Sequence, residues 1–228
     1  MGQLFSICLG DLCTRPTSDI ETKNDQTVAA TCVNHVGDIT TKCCLGAGCY
    51  WGTEKYLKYD FAKSGTVDGQ ITNGAVGFMG PSSAKNNPTY EDVCTGVTGH
   101  VEVYDCEFTG GAAYYEAIIR FFFQFHDPTT MNKQGNDSGT QYSSVIYCYD
   151  TTQYEIASKV KAELQLLLDL NRLTCFQTKV VETDIRMVES EFFPALQKHQ
   201  DYLAKNPRVS LQNSVKSSVI KITKRIRH

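Results

Sequence analysis

No part of this chain approaches the ~20 consecutive apolar residues that a membrane-spanning helix needs, so no span is expected. A signal-peptide pattern is missing as well. The start, Met1-Gly2-Gln3-Leu4-Phe5-Ser6-Ile7-Cys8, has neither a basic region nor a long apolar run. Charge of one sign is in short supply: the formal net charge is −3, which gives no electrostatic case for a nucleic-acid partner. Metal-site spacing is absent. Cys43 and Cys44 are neighbours, but no second Cys or His pair stands at zinc-finger distance, so no metal centre is expected. Nor does the chain contain an internal repeat. What is present is a chain of 228 residues, 41% hydrophobic and 21% charged, long enough to bury a good-sized core. Its ten cysteines are irregularly spaced in a chain that is neither small nor loop-dominated. That favours a reduced, cytoplasmic compartment over a disulfide framework.

Periodicity divides the chain into three parts. Residues 1–37 are polar and aperiodic and read as a flexible N-terminal extension. Residues 38–207 carry alternating strand and helix patterns. Residues 208–228 read as a basic polar tail. Within the middle part, strands are expected at 40–45, 71–78, 100–108, 143–149 and 178–183, and helices after Cys49 and at 114–124, 152–170 and 194–203. The helix at 152–170 has the clearest stripe, with Ile156, Val160, Leu164, Leu167 and Leu168 on one side. Such alternation predicts an α/β or α+β domain built on a mixed sheet.

The most informative run is Gly46-Ala47-Gly48-Cys49-Tyr50-Trp51-Gly52-Thr53-Glu54. Its glycines read as a tight strand-to-helix turn. Cys49 then falls at a helix N-terminus, where backbone N–H groups carry partial positive charge and favour the reactive thiolate. The aromatic pair Tyr50-Trp51 suggests an apolar slot beside the sulfur, suited to a small uncharged group.

Gly48-Cys49-Tyr50-Trp51-Gly52-Thr53-Glu54 resembles the Gly-Cys-Phe-Trp-Gly-x-Glu element of the A-type peptide-methionine sulfoxide reductases. Further blocks follow in that family's order: Asn87-Pro88-Thr89-Tyr90-Glu91-Asp92-Val93-Cys94, Thr98-Gly99-His100-Val101-Glu102, Phe125-His126-Asp127-Pro128-Thr129, Gly135-Asn136-Asp137-Ser138-Gly139-Thr140-Gln141-Tyr142 and His199-Gln200-Asp201-Tyr202. The resemblance covers about residues 40–207. It implies a ferredoxin-like α+β fold, a mixed sheet with flanking helices and long coils. It also implies an enzyme that reduces methionine S-sulfoxide, free or in proteins, in repair of oxidative damage. No bound cofactor is implied. The electrons come from an external thiol, thioredoxin or a small dithiol.

On the same resemblance, Cys49 is the nucleophile and Glu102 the acid that protonates the departing oxygen. Tyr90 and Tyr142 hydrogen-bond that oxygen and Asp137 orients the substrate. Tyr50 and Trp51 wall the methyl slot, while His199 and Tyr202 support the substrate site. Alternation alone makes Glu102 an outward, solvated residue of its strand. Tyr50 departs from the Phe usual in the family, and its hydroxyl needs a partner or water. Glu54 reads most simply as a first-turn acid favoured by the helix dipole, able also to meet loops around the site.

The larger departure concerns recycling. Many family members resolve the sulfenic acid with a cysteine in the C-terminal tail, and this chain has none after Cys175. An external thiol, an internal Cys43, Cys44 or Cys94, or Cys8, Cys13 or Cys32 of the N-terminal extension are the alternatives. Met1-Gly2-Gln3-Leu4-Phe5-Ser6 also fits an N-myristoylation pattern at Gly2, with Cys8 as a palmitoylation site, which suggests peripheral membrane attachment. A monomer is expected. Two rival readings remain: a thiol peroxidase, and a membrane-tethered sulfoxide-binding protein that has lost turnover.

Overall fold

The computed structural model describes residues 41–63, 65 and 67–209. Its main strands are β1 (Lys42–Ala47), β2 (Ile71–Met79), β3 (Val101–Phe108), β6 (Ser144–Cys148), β7 (Asp184–Met187) and β8 (Phe193–Pro194). They form one six-stranded sheet in the order β7-β6-β1-β3-β2-β8. All neighbours are antiparallel except β6 and β7, which run parallel. The four inner strands have the order of a ferredoxin-like core, and the fold is α+β as expected. A separate two-stranded hairpin pairs β4 (Lys133–Gln134) with β5 (Asp137–Ser138).

The central strand β1 is buried along nearly its whole length because both faces of the sheet are covered. In β3 the alternation sends Val101 and Val103 to one face and Tyr104, Cys106 and Phe108 to the other. Two helices pack on the second face. Helix α3 (Gly111–Phe125) buries Tyr115, Ile118, Ile119 and Phe122, at the spacing that puts side chains on one side of a helix. Helix α4 (Thr151–Asp169) starts at Asp150, whose carboxylate accepts the Gln153 N–H at 2.8 Å. Its buried stripe runs through Gln153, Ala157, Val160, Leu164 and Leu168, so Ile156 and Leu167 of the expected stripe lie only half-buried at its margins. Fully burying each large side chain contributes roughly 1.5–3 kcal/mol.

Two expected elements are displaced. The strand expected at 178–183 lies instead at β7, because the preceding residues are tied to the loop after α3. The Gln177 and Thr178 N–H groups donate to Asp127 Oδ2 and Thr129 Oγ1, each at 3.1 Å, and the Glu182 N–H donates to the Pro128 carbonyl at 2.8 Å. His126, fully buried in that loop, bonds the Phe122 carbonyl at 2.8 Å and Ser144 Oγ at 2.7 Å. The helix expected at 194–203 is broken into β8, a 3₁₀ turn (Gln197–His199) and a short α5 (Tyr202–Lys205). The break comes at Gln200 and Asp201, where Asp201 takes a left-handed φ of 55°.

Candidate active site

Chain direction places Cys49 at the end of β1 and at the N-cap of α1 (Tyr50–Glu54). The preceding Gly48 has φ 86°, and a Cβ there would meet the Gln134 Cβ at 2.5 Å. Only glycine therefore allows the β4–β5 hairpin to pack against the turn, and that hairpin carries Asp137. The Cys49 carbonyl accepts the Gly52 N–H at 3.0 Å, opening the helix. The helix continues through a π turn (Lys55–Asp60) and a 3₁₀ turn (Phe61–Lys63).

The environment of the thiol pulls in two directions. Burial is the larger influence and pushes its pKa well above the ordinary value; the nearby Glu102 charge pushes the same way, and the N–H groups of Trp51 and Gly52 pull it down. The helix N-terminus is thus where the sequence places it, but desolvation outweighs it, and the resting side chain is a thiol.

Glu102 extends from β3 toward the N-terminus of α1 and is 2% exposed. Its carboxylate accepts the Tyr50 N–H at 3.1 Å. Burial pushes its pKa up to about 8, with the Tyr50 N–H and the Cys49 thiol pulling down and the Asp137 charge adding to the rise. The outward, solvated position that alternation suggests does not hold, because both faces of this sheet are covered. Asp137 is half-buried, and burial raises its pKa also. The phenols of Tyr90 and Tyr142 both feel the Glu102 charge, and burial holds both well above the ordinary phenol value. Tyr90 opens α2 (Tyr90–Cys94) behind a capping box formed by Thr89 and Asp92. Tyr142 ends the 3₁₀ turn Thr140–Tyr142.

Aromatic rings complete the arrangement. Trp51 stacks face to face on Tyr202, with centroids 3.8 Å apart and an interplanar angle of 11°. His199 lies 5.8 Å from Trp51, 5.9 Å from Tyr50 and 4.7 Å from Tyr90. Tyr50 also packs against Phe78 at 5.9 Å. The Tyr50 hydroxyl is buried without a hydrogen-bond partner among the described residues, so they do not supply the partner this departure calls for. The structure therefore brings Cys49, Glu102, Asp137, Tyr90, Tyr142, Tyr50, Trp51, His199 and Tyr202 around one end of the sheet.

The other cysteines are scattered. Cys43 and Cys44 lie inside β1 and are 0% exposed, and Cys43 faces Cys106 across the β1–β3 ladder. Cys94 is exposed at the end of α2, within hydrogen-bonding reach of the Tyr90 hydroxyl. Gly2, Cys8, Cys13 and Cys32 lie outside the described residues, as does most of the basic tail. Sequence reasoning missed the part played by Gln134, which fills the space over Gly48 and donates to and accepts from the Asp127 backbone. It also missed Gln200, for which the final motif block was the only signal.

An α+β sheet presenting a cysteine at a helix start, beside a carboxyl group that holds its proton near neutral pH, is an arrangement suited to thiol-based redox chemistry. Residues 41–228 match the family model described as peptide methionine sulfoxide reductase, and the chain belongs to that family. It is 40% identical over 72% of its length to the peptide methionine sulfoxide reductase MsrA of Ectopseudomonas mendocina, covering 67% of that protein. It is 39% identical over 73% of its length to the MsrA of Nautilia profundicola, covering 84% of it. Among solved structures, methionine sulfoxide reductase A of Corynebacterium diphtheriae superposes with a TM-score of 0.62 at 30% identity, over 78% of this chain and 80% of that one.

Proposed function

We propose that Cys49 carries the methionine sulfoxide reductase activity that family membership gives this chain. The observation that supports it best is the pairing of Cys49 with Glu102, whose pKa of about 8 keeps a proton available at neutral pH. The Cys49 sulfur attacks the sulfoxide sulfur. Glu102 gives its proton to the sulfoxide oxygen, and the thiol proton returns to the carboxylate through their hydrogen bond. The sulfur–oxygen bond of the substrate breaks, the oxygen ends on Cys49 as a sulfenic acid, and methionine leaves. The substrate sulfur gains two electrons and the Cys49 sulfur loses them.

Tyr90 and Tyr142 hold their protons throughout, because burial keeps both phenols far from ionising, and they serve as donors to the sulfoxide oxygen. Trp51 and Tyr50 wall the methyl group, with His199 and Tyr202 behind them. Asp137 orients the rest of the substrate. Preference for the S epimer, and action on free and protein-bound methionine, follow the family. No residue pattern favours the peroxidase or the binding-protein reading over this one.

An external thiol, thioredoxin or a small dithiol, returns the sulfenic acid to the thiol. Supporting this, Cys43 and Cys44 are sealed in β1, which leaves Cys94 as the internal cysteine with open access among the described residues near the site. We place the enzyme in the cytoplasm as a monomer. Acylation at Gly2 and Cys8 would tether it to a membrane surface; among the described residues no helix is long and apolar enough to cross one.

Cys49→Ser is the test. A hydroxyl is a far weaker nucleophile toward sulfur than a thiol and cannot take the oxygen as a sulfenic acid, so reduction of a methyl sulfoxide substrate should fall to background. Appreciable turnover in that variant would refute the assignment of Cys49.

A further inference from the structure

Glu54 is used by none of the steps above, yet it is 2% exposed and three residues beyond Trp51 on the helix that Cys49 opens. A buried carboxylate needs donors, and this one is served by backbone. Both oxygens accept the Asp201 N–H, at 3.1 and 2.9 Å. With its oxygens committed in this way, Glu54 is not placed to act as an acid toward substrate.

Asp201 is held at its other end too. Its carboxylate accepts from Lys58 Nζ at 2.5 Å and from the Tyr59 hydroxyl at 2.6 Å, both on the π turn that continues α1. Next to it, the Gln200 side chain substitutes for a strand residue at the sheet edge. Its Oε1 accepts the Val76 N–H at 2.8 Å, and its Nε2 donates to the Val76 and Ala195 carbonyls, each at 2.9 Å. A left-handed aspartate such as Asp201, with φ 55°, persists only where its surroundings hold it.

The two residues that flank this pair, His199 and Tyr202, are the ones that stack on Trp51 and Tyr90. We infer that Glu54 and Gln200 are positioning residues for the reaction: they clamp segment 195–205 to α1 and to β2, and so fix the Tyr202–Trp51–His199 stack that shapes the methyl slot beside Cys49. Because Glu54 lies on the same short helix as Cys49, the clamp ties the slot to the nucleophile rather than to the sheet alone. This inference rests on Trp51 being a wall of the substrate slot.

Trp51 is the sole tryptophan of the chain and reports the clamp directly. The full chain in its reduced form, without substrate, is compared as wild type, Glu54→Met and Glu54→Gln. Glu54→Met keeps the volume and removes the acceptor; Glu54→Gln keeps one carbonyl oxygen for the Asp201 N–H. Acrylamide quenching of Trp51 should rise clearly in Glu54→Met, with a red-shifted emission, and should return toward wild type in Glu54→Gln. KM for a methyl sulfoxide substrate should rise about tenfold in Glu54→Met, the scale of a lost charge-assisted hydrogen bond, with kcat falling less. Wild-type quenching in Glu54→Met would overturn the clamp. Altered quenching with an unchanged KM would overturn its role in the reaction. Neither outcome touches Cys49, which the serine variant judges separately. Should Glu54→Met fail to fold, Gln200→Ala frees the same segment from Val76 without entering α1. Unchanged quenching and KM in that variant would overturn the inference equally.

Discussion

The Glu102 carboxylate accepts the backbone N–H of Tyr50 at 3.1 Å, so the acid on β3 and the helix that begins at Cys49 are joined by one hydrogen bond. Two elements 52 residues apart in sequence are thereby registered to each other at the point where a proton has to move. The N–H favours the charged carboxylate, and burial favours the neutral acid; burial is the stronger and leaves the group titrating at about 8. A carboxyl group that titrates there can give up a proton near neutral pH and recover it.

Glu102→Gln should therefore slow the reductive half-reaction while keeping the Tyr50 hydrogen bond, since the amide oxygen still accepts. Loss of a positioned acid lowers rates by roughly 10²–10⁴-fold. In wild type the protonated form dominates below about pH 8, so the single-turnover rate should decline as pH rises through that value. The amide that replaces the carboxyl group cannot titrate, and the decline should vanish with the rate. A Glu102→Gln rate near that of wild type would remove Glu102 from the mechanism.

The same substitution should affect stability in the opposite sense. A carboxyl group whose folded pKa is raised binds a proton that the unfolded chain has released. Its contribution is full below the ordinary carboxyl value of about 4.3 and is lost as pH rises to about 8. Relative to wild type, Glu102→Gln should gain on the order of 4 kcal/mol between pH 5 and pH 9. Urea unfolding at the two pH values measures this, and parallel behaviour of the two proteins would contradict it.

Tyr50→Phe should make the protein slightly more stable. The hydroxyl is buried with no hydrogen-bond partner among the described residues, and a buried unsatisfied group costs about 1–3 kcal/mol. The ring contacts with Trp51, Phe78 and His199 do not depend on it. A higher urea midpoint with little change in kcat/KM is the expected result. A lower midpoint, or a large loss of activity, would assign the hydroxyl a partner or a substrate contact.

Much of this site is legible in the sequence, for reasons that differ between residues. Cys49 stands out because a glycine turn, a thiol and an aromatic pair occupy consecutive positions. The state of the thiol is not legible, because helix position is local and burial is not. Alternation misplaces Glu102, since it assumes that one face of a strand meets water. The inner strands read correctly because their signals are local: β3 alternates apolar and polar residues, and β6 is rich in β-branched and aromatic ones. The segments at 178–183 and 194–203 read wrongly because side chains decide them: Asp127 and Thr129 capture the first, and Glu54 and Gln200 the second. Such long-range bonds leave no period in the sequence.

Recycling is the step whose thiol the sequence leaves unassigned, since residues 176–228 contain no cysteine. After one turnover without reductant, much of Cys49 should persist as a sulfenic acid that a trapping reagent captures. A sulfenic acid beside an accessible thiol condenses quickly, so its persistence reports the lack of a well-placed partner. Cys43 and Cys44 cannot approach without opening β1, where both are wholly buried. Cys94 is exposed and shares Tyr90 with the site, which makes Cys94→Ser the informative control. A small dithiol should support turnover of the wild type and of Cys94→Ser alike, with thioredoxin slower. Mass spectrometry of the oxidised protein separates the outcomes. Rapid, quantitative formation of one disulfide to Cys49, lost in Cys94→Ser, would overturn direct reduction by an external thiol and make Cys94 the resolving residue.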